Sequence, residues 1–277
     1  MWNDDIASDR LGADRSVSDR LSAGIMQRLE RIMRMTGKVA LITDASTQAA
    51  EAVAKRLESD GLTVLRNYPD GLPESARDNP RCCSHSTVTL QPVLAMSQWV
   101  KETTKGLDCL IHTDNVIFRA PVADISEDDF RTYVDRNAKS AFLTSKVLAE
   151  DIAKNGGGSV VYLSSLHDEK PTGVSVAYSA GRGAVKMLCR EMALFFGRKQ
   201  VRCNLVEMDA TAETVEQLDS VLIPFNYDLQ TKVSLRRMTK PDDFAGTVSF
   251  LLSEDASQVN GAEIRVDGGH LFHYFDR

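Results

Sequence analysis

Short apolar blocks punctuate the chain after Lys38: VALIT (39–43), LTVLR (62–66), TVTL (87–90), DCLIH (108–112), SVVYLS (159–164), QVRCNLV (200–206) and AEIRVD (262–267). Their length and their β-branched content predict strands. Longer stretches with apolar residues three and four apart lie between most of them and predict helices. One helix opens with SEDD, which places Ser126 as N-cap with Asp129 three residues on. The NGGGS turn at 155–159 leads into a strand rather than a helix, so no phosphate role is assigned to it. Strands alternating with helices require right-handed crossovers and a parallel sheet covered on both faces. The predicted fold class is α/β: a doubly wound parallel sheet of about seven strands.

Residues 1–36 stand apart from this alternation. Leu21, Ile25, Leu29, Ile32 and Met33 recur every three or four residues, the period of an amphipathic helix. Acids dilute the arginines of this segment, which argues against a membrane-surface helix. The expected organisation is a helical extension over 1–36 and a single doubly wound domain over 37–277. The extension would pack on its own domain, on a second copy or on a protein partner.

Composition narrows the function. The chain has 277 residues, of which 43% are apolar, and a net charge of −6. That balance offers no basic excess for nucleic acid. No apolar run approaches the roughly 18 residues of a membrane span, and the start MWNDDIASDR is polar and acidic, so a cytoplasmic protein is expected. Cys82, Cys83, Cys109, Cys189 and Cys203 lack the paired spacing of a zinc site, and reduced thiols with no metal are expected.

The segments GKVALITDAS, LDCLIHTDN, RNAKSAFLTSKVL, GGSVVYLSS, AYSAGRGAVKML, VRCNLVEMD and RRMTKPDDFAGTVSFLLSEDASQVNGAEIRVDGG follow one another in order. Together, over about 37–270, they resemble a classical short-chain dehydrogenase/reductase with a Rossmann-type domain. The resemblance implies a catalytic set of Asn137, Ser165, Tyr178 and, where the family carries lysine, Arg182. It implies a Tyr178 that exchanges a proton, a Ser165 that bonds the substrate oxygen, and a cation that favours tyrosinate. A guanidinium keeps the charge of the lysine but not its point-like shape. Dimers or tetramers built on the helices near 126–154 and 177–197 are implied as well. The LIH of 110–112 and the closing DGGHLF are similar to a pterin-reducing branch.

The resemblance departs at the cofactor positions. The glycines of the family's first turn correspond to Asp44, Gln48 and Ala50. Glycine there permits the tight turn and the close approach of a diphosphate. A carboxylate about 4 Å from a phosphate charge costs about 4 kcal/mol at an effective dielectric near 20, roughly a thousandfold in affinity, unless Asp44 turns away as the N-cap of the following helix. His112-Thr113-Asp114-Asn115 replaces Asn-Asn-Ala-Gly, Met208-Asp209 replaces Pro-Gly, and Thr89 stands for an aspartate that faces the adenine. Arg66, at the end of the second strand, could accept a 2′-phosphate or simply be a solvated strand end.

Scaffold positions such as Asn204 and the VDGG of 266–269 are kept. The expectation is therefore a protein that has lost dinucleotide binding and hydride transfer. It would be a non-catalytic binding or regulatory subunit, or a small-ligand sensor, with no cofactor. Asp44, Asp114 and Asp209 would line the old cleft and suit a cationic or hydrogen-bond-donating ligand. The alternative is an NADPH-dependent reductase of a carbonyl or pterin-like substrate, using Ser165, Tyr178 and Arg182 with NADP(H).

Overall fold

The computed structural model describes residues 35–219 and 232–272. The helix expected over 1–36 falls, but for its last two residues, outside the described residues.

The strands are β1 (Val39–Ile42), β2 (Thr63–Asn67), β3 (Cys82–Cys83), β4 (Cys109–His112), β5 (Gly158–Ser165), β6 (Val201–Met208) and β7 (Glu263–Val266). They form one seven-stranded sheet in the order β3-β2-β1-β4-β5-β6-β7, and every pairing is parallel. The helices are α1 (Gln48–Ser59), α2 (Leu90–Thr103), α3 (127–154), α4 (Val176–Gly197), α5 (Ala212–Asp219) and α6 (Pro241–Leu252).

Strand side chains alternate between two cores, as a period of two requires. Leu41, Leu65, Leu110, Val160, Tyr162 and Leu205 face a core closed by α2, α3 and α4. Ala40, Ile42, Val64, Ile111, Val161 and Val206 face a core closed by α1 and α6. Burial of both faces explains why the strands read as nearly unbroken apolar runs. No helix among the described residues is long and apolar enough to cross a membrane.

The third strand lies elsewhere than expected. The TVTL block is a connection, with Thr89 in extended conformation as the N-cap of α2. The strand is instead Cys82–Cys83, paired as Arg66↔Cys82 and Asn67↔Cys83. Side-chain bonds decide this. Asn67 Oδ1 accepts from the His85 amide at 2.8 Å, and its Nδ2 donates to the Thr43 and His85 carbonyls at 2.7 and 2.9 Å. The Thr87 hydroxyl bonds the buried Asp114 carboxylate. These ties draw 85–87 over the carboxyl ends of β1 and β4 instead of into the sheet.

The helix expected near 126 forms with its capping box: Ser126 Oγ accepts from Asp129 N at 3.0 Å, and Asp129 Oδ2 from Ser126 N at 3.2 Å. It continues through two π-helical turns, Asp135–Lys139 and Ser145–Ala149. The first places Asn137, fully buried, against α4. That approach needs a glycine, because a Cβ on Gly181 would stand 2.8 Å from Asn137 Cβ. The sheet order turns back between β1 and β4, so their carboxyl ends open a crevice of the kind that binds ligands in doubly wound folds.

Candidate active site

The crevice holds a cavity of about 340 Å³. Thr47 and Ala49 of the first turn and helix line part of it, and Asn115, Ser165, Tyr178 and His270 line another part. Five chain segments meet there because each leaves the carboxyl end of a strand, β1, β4, β5, β6 or β7.

Tyr178 and Arg182 sit one turn apart on α4. Tyr178 is 2% exposed, and its Oη donates to Asn115 Oδ1 at 2.7 Å. The Ser165 hydroxyl lies close enough to act on the phenol. Burial pushes the phenol above its ordinary pKa, and the Arg182 charge with the nearby Ser165 hydroxyl and Asn115 amide pulls it back. Ser165 ends β5, caps the short turn Leu166–Asp168, and lies 3.1 Å from His167 Nδ1. Burial, helped by Arg119, lowers His167 to about 4, so its ring is neutral at pH 7.

Arg182 is fully buried. Its Nη1 donates to the Leu163 carbonyl at 3.2 Å and its Nη2 to the Asp114 carbonyl at 2.8 Å and to Asn137 Oδ1 at 2.5 Å. Its Cζ stands 5.6 Å from the Tyr178 ring centroid. The guanidinium therefore lends charge to the phenol from beneath, yet it does not line the cavity. Asn137 ties the group together: its Nδ2 donates to the Val116 and Tyr133 carbonyls, both at 2.8 Å, and its Oδ1 accepts from Val116 N at 3.0 Å. The π turn that delivers Asn137 belongs to a class of helix irregularity often found at functional sites.

The cofactor turn differs from the expectation. Asp44 Oδ1 accepts from the Ser46 amide at 3.0 Å and the Ser46 hydroxyl at 2.6 Å, which folds the carboxylate back on its own turn. It is 7% exposed, and burial raises its pKa. Thr47, rather than Asp44, caps α1. Gln48 is exposed, and Ala50 is buried in the core against the sheet. None of the three lines the cavity, so the crowding predicted from them is absent. Asp114 is likewise withdrawn, bonded to the Thr43 and Thr87 hydroxyls. Only Asp209 of the three expected acids reaches the cavity, and both its oxygens lie 3.0 Å from His270 Nδ1. Arg66 is engaged by Glu58 at 2.8 Å and Glu51 at 3.9 Å rather than by the cavity.

Sequence reasoning missed several residues. Asn115 was placed as a cofactor position, and its bond to the phenol was not foreseen. His167, Lys170, Glu213 and His270 line the cavity with no spacing that ties them to Tyr178. Glu213, in the first turn of α5, accepts from the Gln48 amide at 3.0 Å. A carboxylate of the chain thus stands where a helix N-terminus attracts anions. It marks this backbone donor as aimed at negative charge, and to that extent the site fits a dinucleotide phosphate.

A family model described as enoyl-(acyl carrier protein) reductase matches residues 46–270. Glucose 1-dehydrogenase 2 of Bacillus subtilis is 28% identical over 247 residues, which covers 85% of this chain and 95% of that protein. A structure of 7α-hydroxysteroid dehydrogenase with NADH and 7-oxo-glycochenodeoxycholic acid is 26% identical, with a TM-score of 0.77, covering 87% of this chain and 97% of that one. A gluconate 5-dehydrogenase from Burkholderia cenocepacia, solved with NADP and tartrate, shares the fold at 22% identity and a TM-score of 0.78, covering 89% and 99%.

These findings overturn the expectation of a non-catalytic subunit or sensor without a cofactor. Glucose 1-dehydrogenase 2 and 7α-hydroxysteroid dehydrogenase are named dehydrogenases, and the latter is solved with NADH. The alternative reading, a reductase using NADP(H), fits them better. The reason for the error is physical: it assumed that Asp44, Gln48 and Ala50 project into the cleft. The similarity to a pterin-reducing branch gains no support from these relatives.

Proposed function

The chain belongs to the short-chain dehydrogenase/reductase family, a family of NAD(P)-dependent oxidoreductases, and on that premise we propose that it interconverts a carbonyl and an alcohol on a small polar substrate with NADP(H). The observation that carries the reading is the Tyr178–Asn115 hydrogen bond with Ser165 beside it, all three lining the same cavity as the start of α1.

A bound nicotinamide would supply or accept the hydride. The Gln48 amide would face its phosphates, and Ser165 and Tyr178 its reacting end. In reduction Tyr178 Oη gives its proton to the carbonyl oxygen, and in oxidation it takes one back. Ser165 Oγ holds that oxygen in place. The Asn115 amide accepts from the phenol and, once flipped, donates to the phenolate, so one side chain serves both protonation states. Arg182 stabilises the phenolate through its charge. It does not take over a lysine's hold on the ribose, because it is fully buried and does not line the cavity, with its Nη1 and Nη2 turned to Leu163, Asp114 and Asn137.

Fluorescence titration tests the reading. NADPH is expected to bind in the micromolar range, with NADH as comparison. Silence up to millimolar concentrations of both would overturn it. Glu213→Gln removes the charge that competes for the Gln48 amide, and NADPH is expected to bind at least about tenfold tighter, about 1.4 kcal/mol. An unchanged or weaker affinity would show that Glu213 does not compete with the cofactor.

Self-association is part of the proposal. Leu194 and Phe195 of α4 are 73% and 59% exposed, and Met187 of α4 and Phe142 of α3 are exposed too. Such apolar area on the two long helices suits a dimer or tetramer interface. Light scattering on the full chain is expected to show a multiple of the protomer mass. A monomer at tens of micromolar would count against it.

A further inference from the structure

One ionisable side chain of the cavity wall meets both Ser165 and Tyr178. His167 stands two residues after Ser165 in the short turn that Ser165 caps, and its Nδ1 lies 3.1 Å from Ser165 Oγ. Its backbone amide donates to the same oxygen at 3.4 Å. Its ring meets the Tyr178 ring edge-on, with centroids 5.5 Å apart. His167, Ser165 and Tyr178 all line the cavity. Burial, with the charge of Arg119 next, keeps the ring neutral at pH 7, so only one of its nitrogens carries a hydrogen.

The surrounding donors and acceptors select which nitrogen that is. The Tyr178 hydroxyl gives its hydrogen to Asn115 Oδ1 at 2.7 Å. Ser165 lies close enough to act on the phenol, whose oxygen, with its hydrogen committed, has only lone pairs to offer. A Ser165 hydrogen turned to His167 Nδ1 would leave two oxygens facing each other with no hydrogen between them. A hydrogen on Nδ1 removes that conflict. Ser165 Oγ then accepts from the ring and from the backbone amide of the same residue, which engages both of its lone pairs. Its single hydrogen is left for the side of Tyr178 and the cavity. The bonds then run one way, from His167 through Ser165 and Tyr178 to Asn115, and bonds aligned in this sense strengthen one another.

We infer that His167 is a positioning residue: its Nδ1–H holds Ser165 Oγ so that the serine hydrogen is aimed at the carbonyl oxygen of the substrate. The inference deepens the proposed oxidoreductase function and rests on it for the identity of the reaction. A bound carbonyl oxygen takes the serine hydrogen in place of the phenol, while His167 keeps the hydroxyl from turning away. His167 moves no proton in the reaction and acts through Ser165 alone.

Two measurements test it. Magic-angle-spinning nitrogen NMR of the full chain, labelled at histidine, reads which ring nitrogen is protonated, and the His167→Asn variant assigns the signal by its loss. The hydrogen is expected on Nδ1, because the partner of each nitrogen sets the tautomer; a hydrogen on Nε2 would overturn the inference. The second measurement is NADPH-dependent reduction of butanedione, a small dicarbonyl. His167→Phe keeps a ring against Tyr178 but has no donor. Its kcat is expected to fall about tenfold or more, the scale of a misplaced catalytic group, with KM and NADPH affinity within about twofold of the wild type. His167→Asn, whose amide can reach the place of Nδ1, is expected to recover most of that loss. A phenylalanine variant with wild-type kcat, or a loss confined to KM, would count against the inference. So would an asparagine variant as slow as the phenylalanine one, since ring shape rather than a donor would then be at work. The NMR result is independent of turnover. A wild type that binds no NADPH and reduces nothing would sink the oxidoreductase reading, whereas an Nε2–H ring in a working enzyme would sink the inference alone.

Discussion

Tyr178→Phe is expected to reduce turnover by about 10²–10⁴-fold, the usual contribution of a positioned acid or base. NADPH affinity should stay within about twofold of the wild type, since the phenyl ring is kept and only a proton-carrying oxygen is removed. The expectation follows from geometry. The phenol is nearly fully buried, bonds Asn115, and lines the cavity together with Ser165. Among the described residues no other phenol lines that cavity. The rate is to be measured as NADPH oxidation at 340 nm with the best substrate from a panel of sugars, sugar acids and oxo-steroids. A variant that keeps a tenth of the wild-type rate would remove Tyr178 from the chemistry. The wild-type rate should also change with pH as the phenol titrates, and that dependence should vanish in the phenylalanine variant.

Arg182→Ala is expected to cost about 3–5 kcal/mol of stability, the range seen when one partner of a buried charged network is removed. Arg182 is the largest fully buried side chain of the described residues. Its loss empties space between α4 and β5 and strips donors from the Leu163 and Asp114 carbonyls and from Asn137. A domain stable by about 5–15 kcal/mol could lose half or more of that margin. Arg182→Lys restores the residue type the family carries here, but three donors on one nitrogen do not span acceptors on three segments, so a smaller loss of about 2 kcal/mol is expected. Urea denaturation followed by circular dichroism checks both. A loss below about 1 kcal/mol for the alanine variant would show that these carbonyls find other partners, water among them.

The two predictions separate roles that the family joins in one lysine. Here the cation beneath the tyrosine is also a strut between β5, the loop after β4 and α3. Asn115, set where the resemblance places a glycine, supplies the phenol with a neutral partner from the cavity side.

Much of the fold was legible in the chain. Six of the seven strands overlap the apolar blocks that predicted them, and the capping box at Ser126 formed as read. The order of Asn137, Ser165, Tyr178 and Arg182 along the chain was enough to bring them forward as one group, and the structure does bring them together. What failed was direction. Asp44 was read as a charge in the cleft, whereas a serine two residues on turns it back. TVTL had the composition of a strand, yet bonds from Asn67 and Asp114, distant in sequence, hold that segment elsewhere.

Hydrophobic period and strand length are local properties of the chain, and burial acts on each residue nearly alone, so the sequence by itself determined the sheet, its two covered faces and the family. Where a polar side chain points depends on which donors and acceptors fold next to it from far along the chain. For that reason only the tertiary structure decided that Asp44, Gln48 and Ala50 stay out of the cavity, that Glu213 stands at the start of α1, and that Asn115 meets the Tyr178 phenol.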